Sequence, residues 1–275
     1  MAGLVHFFRE SLDALSGRFG ATRRQFPTLI GADVLTRCRY IQTFPHSLTL
    51  VTHLREDLSC IQKFSRESRW DGQELAFDHD ALASVECLLS SSVCFHHYAW
   101  IAGSKLTDGQ CVTAVGKCFR FESGNLSGLE RLWDFTMHEI IFVGSGEFVT
   151  GERQRGIDEV TALLDRWGLA YRICTATDPF FIDGYSTQTA FQSAFELKYE
   201  IRADLPYKGP DASLAVGSLN YHQDFFGRSF DIDCASAPAH TGCIAFGLER
   251  LALAFVAQYG TDKSRWPTDV ARNVP

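Results

Sequence analysis

The segment Cys118 to Gly146, CFRFESGNLSGLERLWDFTMHEIIFVGSG, sets two arginines, several acids and a run of aromatic residues around a loop of Gly, Ser and Asn. Side chains along a strand alternate between its two faces. If residues 117–122 form a strand, Cys118, Arg120 and Glu122 share one face, and Phe119 and Phe121 the other. The next strand puts Phe135, Met137 and Glu139 on one face and Asp134, Thr136 and His138 on the other. The connecting SGNLSGLER, residues 123–131, is too long for a tight turn and ends in Arg131. Such a loop can close over a ligand, and a charged tip suits phosphate. Arg120 and Glu122 equally suit an exposed ion pair of little energetic consequence. Glu139 is harder to dismiss: a carboxylate between Met137 and Ile141 must find a cation, a hydrogen-bond network or a metal.

Outward from this segment, AYRICTA, FELKYEIRADLP and SLAVGSLNYHQDFFG read as further strands separated by Gly, Asp, Asn or Pro. Ile157, Val160, Leu164 and Trp167 predict a helix from about Glu147 to Trp167, stopped by Gly168. The run CIAFGLERLALAFVAQY predicts a last helix stopped by Gly260. On it, Cys243 and Arg250 are two turns apart and share a face, with Gly247 between them. A lone cysteine such as Cys94 or Cys243 also suits plain core packing. At the N-terminus, Leu4, Phe8, Leu12, Leu15 and Phe19 recur at helical spacing. The expected fold class is α+β, an antiparallel β-sheet flanked by helices. The charged stretch 55–74 divides a smaller portion, residues 1–65, from the main body, residues 66–275, within one continuous domain.

A chain of 275 residues, 45% of them hydrophobic, buries a full core. Its net charge of −7 argues against a basic nucleic-acid footprint. Nine cysteines in a chain that needs no disulfides read as reduced thiols. Arg9, Glu10 and Asp13 stand where a signal peptide would be apolar, and no stretch reaches the length of a membrane span. The expectation is a cytoplasmic protein. Two motifs fail: HEIIF has Phe142 where a zinc protease needs its second His, and VGSGEFV has Val149 at the third glycine of a dinucleotide fingerprint.

FRFE (119–122) and ERLWDFTMHE (130–139) resemble motif 2 of the class II aminoacyl-tRNA synthetases, and GCIAFGLERLALAF (242–255) resembles their motif 3. The span from about Phe26 to Tyr259, including YIQTFPH, KYEIRADLP and SLNYHQDFFGRSFDI, is similar to the amino acid:[carrier protein] ligases. These are homologues of the atypical, archaeal-type seryl-tRNA synthetase core that lack its tRNA-binding arm. The resemblance implies that residues 66–275 form a class II synthetase-like catalytic core and residues 1–65 a helical, dimerising portion.

It implies the following roles. Arg120 holds the α-phosphate and the amino-acid carboxylate, Glu122 meets the adenine amino group, Phe135 stacks on adenine, and Arg250 holds the far phosphates. Arg131 matches a second arginine near ATP. Cys94, Glu139 and Cys243 match zinc ligands, which finds a partner for Glu139. Where the seryl enzymes place a Mg²⁺-binding glutamate this chain has Ala215, leaving Glu200 and Ser218 as candidates; Arg202 replaces an acid common in the bacterial enzymes. Adenylation joins a carboxylate to a phosphorus that already carries negative charge, so fixed guanidinium groups and Mg²⁺ suit it. Arginine does this better than lysine because its planar fork binds phosphate through two N–H groups. Two thiolates and a carboxylate leave a tetrahedral zinc one open position, which in the family takes the substrate's α-amino group.

The implied activity is ATP-dependent activation of a small amino acid to its adenylate and transfer to the phosphopantetheine thiol of a carrier protein. Zn²⁺ and Mg²⁺ are the implied metals and a homodimer the implied assembly, with neither tRNA nor membrane as partner. Two alternatives stand beside it: a true synthetase charging tRNA, and a non-catalytic synthetase-like binding protein.

Overall fold

In the computed structural model, which describes residues 1–122, 124, 126–176 and 197–274, seven strands form one sheet. They are β1 (Thr22–Arg24), β2 (Gln110–Phe119), β3 (Asp134–Gly144), β4 (Tyr171–Thr175), β5 (Lys198–Asp204), β6 (Ser213–Gln223) and β7 (His240–Gly247). Their order in space is β1-β2-β3-β7-β6-β5-β4. β1 runs parallel to β2 and every other neighbouring pair is antiparallel. Ser123 and Asn125 of the predicted loop, and Phe195 and Glu196 at the start of a predicted strand, lie outside the described residues.

Strand β3 is buried on both faces from Met137 onward, as its unbroken apolar run requires. Ile140 and Phe142 face a core built with α1 (Ala2–Arg18), α3 (Gly146–Arg166) and α5 (Leu248–Tyr259), which contribute Phe8, Leu164 and Phe255. Ile141 and Val143 face a second core with Cys94, Phe95 and Tyr98 of α2 (Cys94–Trp100) and Phe226 of α4 (Phe225–Phe230). The α1 periodicity holds, with Leu4, Phe8, Leu12 and Leu15 all buried. Helix α3 is capped by the Ser145 side chain, which accepts from the Phe148 N–H, and ends at Gly168, whose φ of +67° is the left-handed stop a glycine provides. Both α1 and β1 belong to the same core and sheet as the main body. The helix Leu58–Glu67, in the charged stretch, buries none of its residues. Among the described residues, no helix is long and apolar enough to cross a membrane.

The last helix begins later than its apolar run implies. His240–Gly247 is a strand, and the helix starts at Leu248. Short apolar runs carry no period that separates strand from helix; here the decision lies with two neighbours, since Cys243 pairs with Ile141 on one side and Asn220 on the other. Cys243 and Arg250 therefore do not share a helix face. The first predicted strand also ends early, at Phe119, although the Arg120 N–H still reaches the Trp133 carbonyl at 3.0 Å. The tail DFFG leaves its predicted strand for α4, after an irregularity in the β6 ladder at Tyr221/Gln223.

Gly227 shows how closely α4 packs. A Cβ there would lie 2.1 Å from the Ala239 carbonyl oxygen and 2.7 Å from the Ala239 nitrogen, both backbone atoms. Gly227→Ala is expected to lower stability by about 3 kcal/mol, seen as an earlier urea midpoint with an unchanged slope.

Candidate active site

One face of the sheet carries the site. Ladder pairing sets Glu200, Ser218, Ala245 and Glu139 in a row across β5, β6, β7 and β3, and Lys198, Asn220, Cys243 and Ile141 in the next. Over this face opens a cleft lined by Arg120, Glu122, Phe135, Glu200, Ser218 and Arg250, with Ala215 and Gly217 among its other walls. Of the residues expected to meet ATP, only Arg131 is not in this lining. It is half-exposed, and its guanidinium pairs with Glu122.

The two arginines of the cleft are held by backbone carbonyls. Arg120 Nε donates to Ser91 O at 3.0 Å, and its guanidinium carbon lies 5.5 Å from the centre of the Phe135 ring. Arg250, from α5, donates through Nε to Glu130 O at 2.6 Å and through Nη1 to Ala215 O at 3.3 Å. Burial first, and then the like charge of Arg120, hold the Arg250 pKa below the usual arginine range. Two guanidinium groups in a partly desolvated cleft favour an anion. The start of α5 is pinned by Glu249, which accepts from the Thr136 N–H and hydroxyl at 2.7–3.0 Å. Glu200 is already paired, accepting from Arg202 Nη1 at 2.8 Å with Lys198 Nζ at 3.7 Å. Ser218 Oγ accepts from Asn220 Nδ2 at 3.0 Å.

Beside the cleft, three strictly separate elements meet. Cys94 opens α2, Glu139 lies within β3 and Cys243 within β7; all three are buried, and one ligand atom from each lies within 4.8 Å of the others. Glu139 Oε1 accepts from Ser92 Oγ at 2.9 Å and from the Val93 N–H at 2.8 Å. Its Oε2 is buried and has no hydrogen-bond partner. Asn220 Nδ2 donates to Cys243 Sγ at 3.4 Å. Burial, followed by the charge of Cys243, raises the Glu139 carboxyl to about 7, and burial raises the Cys94 thiol. The Cys243 thiol is lowered, chiefly by its hydrogen bond with Cys94. Three acidic groups at such range cannot all ionise without a cation between them. The orphaned Oε2 and the two sulfurs form a donor set that fits a divalent metal.

His138 lies on the opposite face of β3, its Nε2 3.1 Å from Asp13 Oδ1 on α1. Ser91, Ser92 and Val93 escaped the sequence reading, although they directly precede Cys94 in a serine run. The contacts they make, through the Ser91 carbonyl, the Ser92 hydroxyl and the Val93 N–H, give a sequence no periodic signal.

No established protein-family model matches the chain. Amino acid–[acyl-carrier-protein] ligase 1 of Bradyrhizobium diazoefficiens is 31% identical over 277 residues, covering 98% of this chain and 79% of that protein. Ligase 2 of the same organism is 32% identical over 253 residues, covering 90% and 72%. The type-2 serine–tRNA ligase of Methanococcus aeolicus is 28% identical over 275 residues, covering 97% of this chain and 53% of that one. Among solved structures, M. kandleri SerRS in complex with A. aeolicus tRNASec matches with a TM-score of 0.87 at 22% identity, covering 100% of this chain and 55% of that chain. The chain thus spans about half the length of these serine–tRNA ligases and shares their α+β, class II synthetase-like fold.

Proposed function

The chain belongs to the family of the amino acid–[acyl-carrier-protein] ligases, and from that premise we propose that it activates a small amino acid with ATP and passes the acyl group to the phosphopantetheine thiol of a carrier protein. One observation carries this reading: the arginine-lined cleft and the buried Cys94, Glu139 and Cys243 cluster lie side by side on one sheet face. A nucleotide phosphate and an amino group can be held there at once.

In the first step, a carboxylate oxygen of the amino acid forms a bond to the α-phosphorus and pyrophosphate departs. Arg120, with Nε fixed by Ser91 O, turns its guanidinium to the α-phosphate and the carboxylate. Arg250 offsets charge on the departing phosphates, and Phe135 offers its ring to the adenine. Such preorganised donors act most strongly where water is excluded. Glu122 accepts from the adenine amino group once its pairing with Arg131 opens, which frees Arg131 for phosphate. Glu200 and Ser218, opposite one another on β5 and β6, would hold Mg²⁺, with Glu200 exchanging its Arg202 partner. In the second step, the carrier thiol bonds to the acyl carbon, the C–O bond to AMP breaks, and the thiol proton leaves to solvent.

Cys94, Glu139 and Cys243 would hold Zn²⁺. One ligand atom from each lies within 4.8 Å of the others, and two thiolates with a carboxylate are donors that suit zinc. When bound, the ion supplies a Lewis-acid anchor for the substrate's α-amino group. The same reading makes the protein a cytoplasmic homodimer. Support for a dimer comes from exposed Leu50, Phe121 and Trp133, joined by the Phe121–Trp133 ring contact, Trp133 Nε1 to Thr49 and the Phe121 N–H to Ser47. Apolar side chains grouped in this way mark contact surfaces.

Pyrophosphate exchange across the amino acids is expected to single out a small one, and holo-carrier protein is expected to gain the mass of that aminoacyl group. Exchange without carrier loading overturns the second half. The serine–tRNA ligase relatives motivate the rival reading, tRNA charging, against which the net charge of −7 stands. Charging of purified tRNA at rates near those of carrier loading would favour that rival.

A further inference from the structure

We propose that Ser92 is a positioning residue of the metal centre: it holds Glu139 so that one carboxylate oxygen alone faces the two sulfurs and one ligand position stays open. The inference rests on the metal reading above and extends it to a residue that touches neither metal nor substrate. Glu139 could offer a metal both oxygens. Its Oε1, however, is engaged twice, by Ser92 Oγ at 2.9 Å and by the Val93 N–H at 2.8 Å. Its Oε2 is wholly buried without a hydrogen-bond partner, and the residue belongs to the cluster with Cys94 and Cys243. The division between the two oxygens is therefore built into the strap that leads to Cys94. Ser92 Oγ also lies 3.2 Å from Cys94 Sγ, so a single hydroxyl touches two of the three ligands.

A carboxylate freed from one of these donors can turn its second oxygen toward the metal and fill the position the amino group needs. The same strap carries the Ser91 carbonyl that accepts from Arg120 Nε, so Ser92 sits between the amine side of the site and its phosphate side. Hydrogen bonds to metal ligands orient them and tune their affinity, and their loss typically costs roughly 10- to 100-fold in binding.

The test uses the full chain, loaded with Zn²⁺ or Co²⁺, as wild type, Ser92→Ala and Ser92→Thr. Chelator competition is expected to show zinc bound roughly 10- to 100-fold more weakly by the alanine variant. Its KM for the amino acid should rise while its KM for ATP holds, and the visible absorption of its cobalt form should no longer shift when the amino acid is added, because the position that the amino group needs is filled. The threonine variant, which keeps the hydroxyl, should recover all three. Wild-type zinc affinity and amino-acid KM in Ser92→Ala overturn the proposal, as does a threonine variant that recovers nothing. A wild-type protein that exchanges pyrophosphate yet binds no zinc overturns the metal reading itself and this inference with it. If zinc binds normally and only Ser92→Ala is silent, the metal reading stands and this inference fails.

Discussion

Glu139→Gln is expected to abolish stoichiometric zinc and to cut amino-acid-dependent pyrophosphate exchange by about 10³-fold, or about 4 kcal/mol of transition-state stabilisation. The substitution preserves shape, and the retained amide oxygen can still accept from Ser92 Oγ and the Val93 N–H, the two donors of Oε1. What changes is the atom at Oε2, which has no partner of its own. There an –NH₂ group, a donor without ligand strength, replaces an anionic oxygen. ATP should bind nearly as before, because Arg120, Phe135 and Arg250 lie along the neighbouring cleft, with Arg120 Nε held by Ser91 O and Arg250 Nε by Glu130 O. Metal analysis beside nucleotide titration separates the two effects. Unchanged zinc content and exchange would refute the assignment of Glu139.

Arg120→Ala should lower the exchange rate by about 10²- to 10³-fold while leaving zinc content intact. The guanidinium is fixed by the Ser91 carbonyl and set beside the Phe135 ring, so little reorganisation is needed when charge develops on phosphorus. Arg120→Lys should recover little. A lysine has no Nε–H for Ser91 O and no planar fork for phosphate, and its compact charge is more strongly hydrated. Rapid-quench measurement of adenylate formation checks this without interference from carrier loading. A lysine variant as fast as wild type would show that a point charge suffices.

The alternation that set Phe135, Met137 and Glu139 against His138 was readable from residue order alone, because a strand's pleat is a local property of its backbone. The structure keeps Glu139 on the cleft side and sends His138 to Asp13 on the other. Helices α1 and α3 were legible for a similar reason: their apolar residues repeat at the helical period, and Gly168 supplies a stop at positive φ. The run CIAFG was not legible. Its residues are apolar without period, and its state depends on hydrogen bonds from β3 and β6, which lie far away in the chain. The helix reading joined Cys243 to Arg250, whereas the ladder joins it to Asn220 and brings it to Glu139 and Cys94.

The sequence by itself thus determined which side chains share a strand face, where periodic helices run, and that an acid on an apolar face needed a partner. Only the tertiary structure decided which partner it met. Cross-strand register placed Glu139 in one row with Ser218 and Glu200 and Cys243 in the next row, and the packing of α2 brought Cys94 above them. The division of labour between the two Glu139 oxygens arises from a hydroxyl and a backbone N–H that enter from a separate strap. Such contacts depend on how distant segments close-pack, and local order along the chain does not encode that distance.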